Sequence, residues 1–392
     1  MRLAIEGGRV LLPDGTVAEV TVTLAEGQII GIGHAIAASH FWHARGYLVL
    51  PGIVDLHGNA FESHLMPRAG AFMAPDIAFP AVDRQLLANG ITTAFHGLTL
   101  SWTPGLRGGE MARNLADALA ALSPTLDCNT RVHLRFETLA LDAVEEVITW
   151  IEAGRIDLLS FNDDCRGPDQ PVAAGEEGTA LDRSGLDRAA YRALRDRVQA
   201  RRAEVPQALA RLARAAREAG VPLASHNDAS PEIRRQFRAL GCRICESPVD
   251  VATAEAAVQA RDTVVMSAPG VVSGTSHAER LSARQAVGDR LCSILASDFY
   301  YPALVAAPFV LAAERVIDFP GAWRLVSANP AAAAGLDDRG TIGLGQRADL
   351  VLIDDAVPGR PRVVAAIAGG QIAYVADAAL AGRLEHYSGM RA

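Results

Sequence analysis

This chain of 392 residues contains no lysine, because all 37 of its basic residues are arginines. Schiff-base enzymes and P-loop nucleotide hydrolases both need a lysine amine, so both classes are excluded. Cysteine is also scarce, with five residues scattered along the chain. An odd number of irregularly spaced cysteines is typical of a reducing compartment rather than of a disulfide framework.

The sequence also lacks the features that bind membranes or nucleic acids. No apolar stretch approaches the roughly 20 residues of a membrane span, and the first residues do not form a basic-then-apolar signal peptide. The formal net charge is −8 and the pI is near 5.7. These values argue against nucleic acid or an anionic membrane as the main partner. We therefore expect a cytoplasmic protein that acts on a small molecule.

Half of the residues are hydrophobic, so the chain can bury a large core. Short apolar runs alternate with helical patterns eight times, which predicts an α/β fold, a (β/α)8 TIM barrel over residues 51–339. The predicted barrel strands are 48–57, 92–97, 131–137, 157–162, 221–226, 242–247, 263–268 and 292–298. Residues 186–220 are predicted to form one long helix. Both ends of the chain show short alternating strands, so residues 1–50 and 340–392 are predicted to share one small β-sandwich domain.

Polar side chains end seven of the eight predicted barrel strands. They are His57 with Asn59, His96, Glu137, Asn162 with Asp163 and Asp164, His226 with Asp228, Glu246, and Asp298. Active sites of such barrels lie at the carboxyl ends of the strands. Burying these groups costs several kcal/mol unless they are paired or bind a metal. Carboxylates together with imidazoles suit Zn²⁺, Mn²⁺ or Fe²⁺.

Some polar groups have a structural interpretation instead. Because side chains alternate along a strand, Asp55, His57 and Asn59 are predicted to share one face. His133 lies in the middle of a predicted strand and fits a hydrogen-bonded core histidine, whereas His96 fits either role. Cys242 and Cys245 are three positions apart on a strand and are predicted to face opposite sides, which excludes a shared metal ion.

The strand-end motifs resemble a known family. The segment PGIVDLHGN at 51–59 is similar to the first-strand signature of the amidohydrolase superfamily. Within it, the chain resembles the amidohydrolases of alkylphosphonate utilisation in segments 56–68, 83–97, 133–137, 160–163, 225–226, 245–248, 274–277 and 295–302. The resemblance covers nearly the whole chain. It implies a metal-dependent diphosphatase of the carbon–phosphorus lyase pathway, which releases pyrophosphate from α-D-ribose 1-methylphosphonate 5-triphosphate.

The strand ends and the resemblance together predict a site for one or two divalent ions, with Zn²⁺ favoured over Mn²⁺ and Fe²⁺. The predicted ligands are His57, Asn59, Glu137, His226, Glu246 and Asp298. Asp298 is also the predicted general base, which takes a proton from a water activated by the metal. Many binuclear amidohydrolases bridge their metals with a carboxylated lysine. That residue is impossible here, and Glu137 is predicted to take its place.

A phosphorylated small molecule is the predicted substrate. Negative charge that develops on phosphoryl oxygens needs cations, which must be arginines in this chain. The predicted substrate-binding residues are Arg68, Arg135, Asn162, Asp163, Arg166 and His277. A homodimer is a reasonable expectation for a chain of this class.

Three departures from the family pattern leave other functions open. The family usually has Asp at the position of Asn59, His at that of Asp164, and a run of Asp where Asn227 stands. The second metal could therefore be weak or absent, and the substrate could differ. The alternatives are C–N hydrolysis, by a deacetylase or a cyclic amidase, and a catalytically impaired barrel that acts as a binding protein.

Overall fold

The structure, a computed structural model, describes residues 2–33, 36–163, 174–274, 281–376 and 378–386. Its first seven strands are short and precede the barrel. They are β1 (Arg2–Glu6), β2 (Arg9–Leu11), β3 (Val17–Glu19), β4 (Val22–Ala25), β5 (Gln28–Ile32), β6 (His40–His43) and β7 (Leu48–Pro51).

Eight parallel strands then form the barrel. They are β8 (Ile53–Gly58), β9 (Ile91–Leu100), β10 (Asn129–Glu137), β11 (Leu158–Asn162), β12 (Leu223–His226), β13 (Ile244–Glu246), β14 (Thr263–Ser267) and β15 (Ile294–Ala296). They pair in chain order from β8 to β15. A bridge between Gly58 and Asp298 joins the last strand to the first. There the Asp298 N–H donates to the His57 carbonyl at 2.9 Å, and the Asn59 N–H donates to the Asp298 carbonyl at 2.8 Å. The predicted TIM barrel is confirmed.

Four carboxyl-terminal strands complete two further sheets with the amino-terminal strands. They are β16 (Leu350–Asp354), β17 (Arg362–Ala368), β18 (Gln371–Val375) and β19 (Leu384–His386). One sheet has the order β19-β6-β1-β4-β5, and the other has the order β18-β17-β16-β7-β2-β3. Apolar side chains of both sheets, including Trp42, Val49 and Leu352, form one shared core. The predicted β-sandwich built from both termini is therefore confirmed.

Most of the helices follow barrel strands and pack outside them. The helices are α1 (Glu62–Leu65), α2 (Pro75–Ala88), α3 (Gly109–Leu122), α4 (Val144–Glu152), α5 (Ala174–Ser184), α6 (Arg188–Gln199), α7 (Val205–Glu218), α8 (Pro231–Leu240), α9 (Val251–Gln259), α10 (Ala268–Ser273), α11 (Ala283–Gly288), α12 (Tyr301–Ala313), α13 (Phe319–Arg324), α14 (Ala328–Ala333) and α15 (Ala378–Ala381). Single 3₁₀ turns lie at Gly105–Arg107, Ser123–Thr125, Leu141–Ala143 and Arg202–Glu204. Within the described ranges, no helix has the length and apolar character needed to cross a membrane.

The prediction of a single barrel strand over residues 48–57 is wrong in extent, because this segment forms two strands, β7 and β8. The chain passes from the sandwich to the barrel at Gly52, whose N–H donates to the Asp349 carbonyl at 2.8 Å. A Cβ at this position would lie 2.2 Å from the Thr92 hydroxyl oxygen. Only glycine therefore fits this crossing point between the two domains.

The long helix predicted at 186–220 is also wrong, since the chain forms α6 and α7 with a 3₁₀ turn between them. Pro206 lies in the first turn of α7. Proline is tolerated there because its missing N–H has no helical partner at that position, whereas it would disrupt the middle of a longer helix.

His96 lies in the middle of β9 and packs against the helices outside the barrel. Its ring meets Phe61 and Phe79 edge-on, with centroid distances of 5.4 and 5.5 Å. Its neighbour Phe95 belongs to the core inside the barrel, so His96 faces the other way. Burial lowers the pKa of His96 to about 4, which keeps the ring neutral at pH 7. The structure therefore favours the structural role for this histidine.

Substitution of Trp42 should strongly destabilise the shared core of the sandwich. This residue is fully buried, and its indole nitrogen donates to the Leu380 carbonyl at 2.8 Å. We expect Trp42→Ala to lower the free energy of unfolding by about 3–5 kcal/mol, because it leaves a large cavity. Trp42→Phe, which loses mainly the hydrogen bond, should cost about 1 kcal/mol. Urea unfolding monitored by circular dichroism measures both. Equal midpoints for the alanine variant and the wild type would show that the termini do not depend on each other.

His96 should make stability depend on pH between its unfolded and folded pKa values. The unfolded ring binds a proton near pH 6.5, whereas the folded ring does so only near pH 4, so the free energy of unfolding falls as pH decreases across this window. The contribution is about 3 kcal/mol. His96→Phe should therefore lose about that much less stability between pH 7 and pH 4. Urea titrations at several pH values check this, and parallel profiles for the two proteins would contradict it.

Candidate active site

Three buried side chains from different strands meet at the barrel mouth. His57 ends β8, His133 lies within β10 and Glu246 ends β13, and each offers a ligand atom within 4.8 Å of the other two. A Glu246 carboxylate oxygen lies 3.2 Å from Nδ1 of His57 and 3.7 Å from Nε2 of His133. The arrangement of two imidazoles around a carboxylate is a donor set that suits a divalent metal ion.

His226 contacts the other oxygen of the same carboxylate. Its Nδ1 lies 3.2 Å from Glu246 Oε2, and its ring stacks on that of His57 with a centroid distance of 5.0 Å. Strand register explains the contact, because His226 and Glu246 are paired positions on β12 and β13. The same register continues to Asn162 on β11 and Glu137 on β10. Four predicted site residues thus form one row across adjacent strand ends.

The buried position of the cluster sets its protonation. Burial lowers the pKa of His133 to about 3. Burial, assisted by the positive charge of Arg135, lowers the pKa of His226 to about 4. Burial by itself would raise the pKa of Glu246, but the surrounding imidazoles outweigh it and hold that pKa well below its ordinary value. At pH 7 both of these imidazoles are therefore neutral and the carboxylate is ionised, which are the forms that bind metals.

His133 is both a hydrogen-bonded core residue and a member of the cluster. Its Nδ1 lies 3.0 Å from the Leu56 carbonyl, which can only accept, so the ring proton is on Nδ1. Nε2 then accepts from the Ser160 hydroxyl at 2.9 Å and faces Glu246. The position of His133 in the middle of a predicted strand indicated only the first role. The alternation of His133, Arg135 and Glu137 on one face of β10 was the signal that could have revealed the second.

His57 reaches the cluster through an irregularity in its strand. Val54 and Leu56 belong to the core inside the barrel, so strict alternation would direct His57 outward together with Asp55. The pairing of β8 with β9 changes register between Asp55 and Gly58, and His57 turns inward. Asp55 instead accepts from the Ser297 N–H at 3.0 Å and from the Ser297 hydroxyl. The prediction that Asp55 shares a face with His57 and Asn59 is therefore wrong.

Asp298 lies where the barrel closes. One carboxylate oxygen accepts from the Ser267 hydroxyl at 2.9 Å, and the other lies 3.5 Å from the side-chain nitrogen of Asn59. The side chain of Asn59 therefore turns its donor nitrogen towards Asp298. Asp298 has φ 54°, a left-handed backbone held by its hydrogen bonds to β8.

A cavity of about 230 Å³ opens beside these groups. His57, His226, Glu246 and Asp298 form its polar end, and its other walls include Pro248, Met266, Pro269, Leu281 and Phe299. Asn227 and Ser247, which line it directly after two of the strand ends, have φ 58° and 51°. Left-handed residues other than glycine cost about 1–3 kcal/mol and concentrate at functional sites.

Arg135 lies beside the cluster, and none of the described acidic residues forms an ion pair with it. The side chain is 4% exposed, and its Nε has no hydrogen-bond partner among the residues described. A Cβ added at Gly97 would lie 3.4 Å from Cδ of Arg135 and 4.0 Å from Nε2 of His57, so the two side chains flank the same point. A buried guanidinium of this kind is costly unless an anion accompanies it.

The remaining predicted residues differ in where they lie. Glu137 accepts from the side-chain nitrogen of Asn162 at 2.7 Å, next to the cluster but outside its three-residue core. Asp163 forms a two-point ion pair with Arg202, at 2.8 and 3.1 Å, and is therefore neutralised by the protein itself.

Arg68 is exposed on the loop after β8, and it belongs neither to the donor group nor to the described lining of the cavity. Asp164, Arg166 and His277 lie outside the described residues. The thiols of Cys242 and Cys245 are buried, and neither belongs to the donor group.

Comparison with known proteins places this site in a family. The family model described as "Amidohydrolase family" matches residues 297–374. The alpha-D-ribose 1-methylphosphonate 5-triphosphate diphosphatase of Escherichia coli (strain K12) is 30% identical over 322 residues, which cover 79% of this chain and 83% of that protein.

Solved structures show the same fold. A prolidase complexed with N-methylphosphonate-L-proline has a TM-score of 0.64 at 14% identity, with 96% of this chain and 100% of that chain covered. The N-isopropylammelide isopropylaminohydrolase of Burkholderia multivorans ATCC 17616 has a TM-score of 0.64 at 18% identity, covering 95% of this chain and 98% of that one. The architecture, the strand-end cluster and the 30% sequence identity to the E. coli enzyme show that the chain belongs to the amidohydrolase superfamily and is a hydrolase.

Proposed function

We propose that the chain is a metal-dependent phosphohydrolase that cleaves a phosphoanhydride bond of a phosphorylated sugar, as a diphosphatase. The observation that carries the proposal is Arg135, which lies beside the cluster of His57, His133 and Glu246. It is a buried cation without a carboxylate partner in the described part of the chain. In a chain without lysine, this guanidinium is the described group best placed to neutralise charge on a phosphoryl group.

The cluster would hold the divalent ion through His57, His133 and Glu246, with His226, on the other oxygen of Glu246, as a fourth candidate ligand. When bound, such an ion polarises a phosphoryl oxygen and lowers the pKa of water, which provides a nucleophile near pH 7. The protein's own contribution is to present the neutral imidazoles of His133 and His226 with the ionised carboxylate of Glu246, and to exclude bulk water from them by burial.

Asp298 is the proposed general base. The Ser267 hydroxyl and the Asn59 amide fix its two oxygens, so the carboxylate is oriented before substrate binds. A proton from the attacking water would pass to this carboxylate, while Arg135 stabilises the negative charge of the phosphoryl group and of the departing pyrophosphate.

The E. coli relative supports this reaction, since that protein is an alpha-D-ribose 1-methylphosphonate 5-triphosphate diphosphatase. One observation favours C–N hydrolysis as the second candidate. The described lining of the cavity is mostly apolar and carries the carboxylates of Glu246 and Asp298 but no arginine. Such a surface would accept a neutral amide more readily than a polyanion.

Metal content gives the first test. Wild-type protein purified without chelator should contain at least one equivalent of a divalent transition metal. Glu246→Gln should lower this content at least tenfold, since it removes the ionised ligand while keeping the shape of the side chain. Elemental analysis by plasma mass spectrometry measures both.

Glu62→Gln is the matched control. Its carboxylate accepts from Arg107 at 2.8 and 2.9 Å, in the loops that follow β8 and β9, and its loss should leave metal content unchanged. Wild-type protein with less than about a tenth of an equivalent, even after incubation with Zn²⁺, Mn²⁺ and Fe²⁺, would refute the metal site.

Substitution of Arg135 tests whether the reaction is phosphoanhydride hydrolysis. We expect Arg135→Met to lower kcat/KM for pyrophosphate release by about 10²- to 10³-fold, the usual effect of removing one group that stabilises developing charge. Substrates are ribose 5-triphosphates and nucleoside triphosphates, compared with acetamido sugars and cyclic amides.

Arg131→Met is the control on the same strand. Arg131 is already paired with Asp157 at 2.8 Å, near the opposite end of β10, so its loss should leave kcat/KM unaltered. Turnover of an amide without pyrophosphate release would instead establish C–N hydrolysis.

A further inference from the structure

A second buried ionic cluster lies behind the site, centred on Arg234 of α8. Arg234 is 1% exposed. One terminal nitrogen donates to the Ser225 hydroxyl at 2.7 Å and to Asp228 Oδ2 at 3.2 Å. The other donates to the Cys242 carbonyl at 2.6 Å. This guanidinium therefore connects β12 with the chain that enters β13.

The charge of Arg234 is balanced entirely within the protein. Asp228 lies 3.2 Å away and Asp262 lies 3.6 Å away, and the carboxylates of both are fully buried. The cluster is not part of the lining of the cavity beside Glu246, so it does not face a ligand there. Buried ion pairs of this kind often add little net stability compared with apolar side chains of the same size. The position of the Arg234 cluster suggests a role other than stabilising the fold.

Two contacts of the cluster, Ser225 and Cys245, each lie one residue before a site residue. Ser225, which donates to Asp228 Oδ2 at 2.7 Å, precedes His226. Cys245, whose thiol donates to the same oxygen at 3.4 Å, precedes Glu246. Ser225 and Cys245 are paired positions on neighbouring strands. Asp228 thus joins the two strands at the level where they present the imidazole and the carboxylate to each other.

The backbone after each site residue makes this support necessary. Asn227 and Ser247 adopt left-handed conformations immediately after His226 and Glu246, which side chains other than glycine resist. Without a constraint behind the strands, relaxation of either turn would rotate the preceding side chain. The side chains that precede these two turns are the ones whose Nδ1 and Oε2 atoms lie 3.2 Å apart.

We infer that Arg234 is a positioning residue, which holds His226 and Glu246 in register for metal binding through Ser225, Asp228 and Cys245. The inference rests on the proposed metal-binding role of Glu246 and not on the identity of the substrate. Groups behind the metal ligands of a site commonly change metal affinity 10- to 100-fold when altered.

The test compares two arginines of the same helix. Arg234→Lys keeps the charge but removes the planar fork that spans β12 and β13. We expect a folded protein whose Zn²⁺ dissociation constant, measured by competition with a chromophoric chelator, rises about 10- to 100-fold. Its crystal structure should show the His226–Glu246 contact lengthened beyond the present 3.2 Å.

Arg238→Lys is the matched control. Arg238 lies one turn further along α8 and contacts the same Asp262 at 3.2 Å, but it donates otherwise to the Ala260 carbonyl. This variant should keep the wild-type affinity for Zn²⁺, although it can lose some thermal stability. If Arg234→Lys does not fold, the double variant Arg234→Met with Asp228→Asn removes the positive charge and its negative partner together. Its Zn²⁺ dissociation constant and its His226–Glu246 distance are then measured in the same way.

Two results would overturn the inference. One is a folded Arg234 variant with wild-type affinity and an unchanged contact, and the other is an equal loss of affinity in the Arg234 and Arg238 variants. Failure of the proposed function is a separate result, since it would appear as wild-type protein that binds no divalent metal. The crystallographic distance would still decide the role of Arg234 in that case.

Discussion

The ionised carboxylate of Glu246 is the group on which the described site depends. It is 1% exposed, and its oxygens approach His57, His133 and His226, which come from three other strands. A buried negative charge is stable only where neighbours compensate for it. Nδ1 of His57 and Nδ1 of His226 lie 3.2 Å from its two oxygens and can donate to them, and a divalent ion would compensate the charge more completely. The charge therefore explains why so many polar side chains converge on one point of an otherwise apolar barrel.

Much of the fold could be predicted from the sequence, for a definite physical reason. Parallel strands covered on both faces are nearly continuous apolar runs, and several barrel strands, such as β11 (LLSFN) and β14 (TVVMS), come close to that pattern. The errors occurred where another interaction outweighed the local pattern. At Gly52 the backbone pairing changes from Asp349 in the sandwich to Gly90 in the barrel, which divides the first predicted strand, and Pro206 lies in the first turn of a new helix within the predicted long one. Neither effect follows from apolar periodicity.

The site was harder to predict because its geometry depends on register. Strand ends identified His57, His226, Glu246 and Asp298, which line one cavity. His133 was assigned only a core role, because it lies four residues before the end of β10. The prediction that Asp55 shares a face with His57 was wrong, because the register irregularity in β8 cannot be recognised from the sequence alone. Arg234 carries no signal of its own, since a helix packed outside the barrel supplies it.

The pairing of β7 with β16 has a consequence for the order of folding. About 300 residues of barrel separate these two strands, and contacts so distant along the chain form late because of the entropy of closing the loop between them. During synthesis β7 can pair with β2 at one edge, but its other edge has no partner until β16 follows. The barrel can be complete by then, so the synthesis of β16 is the event that closes the sandwich. A ribosome that stops before β16 would release a chain whose amino-terminal strands expose unpaired edges, the kind of surface that aggregates.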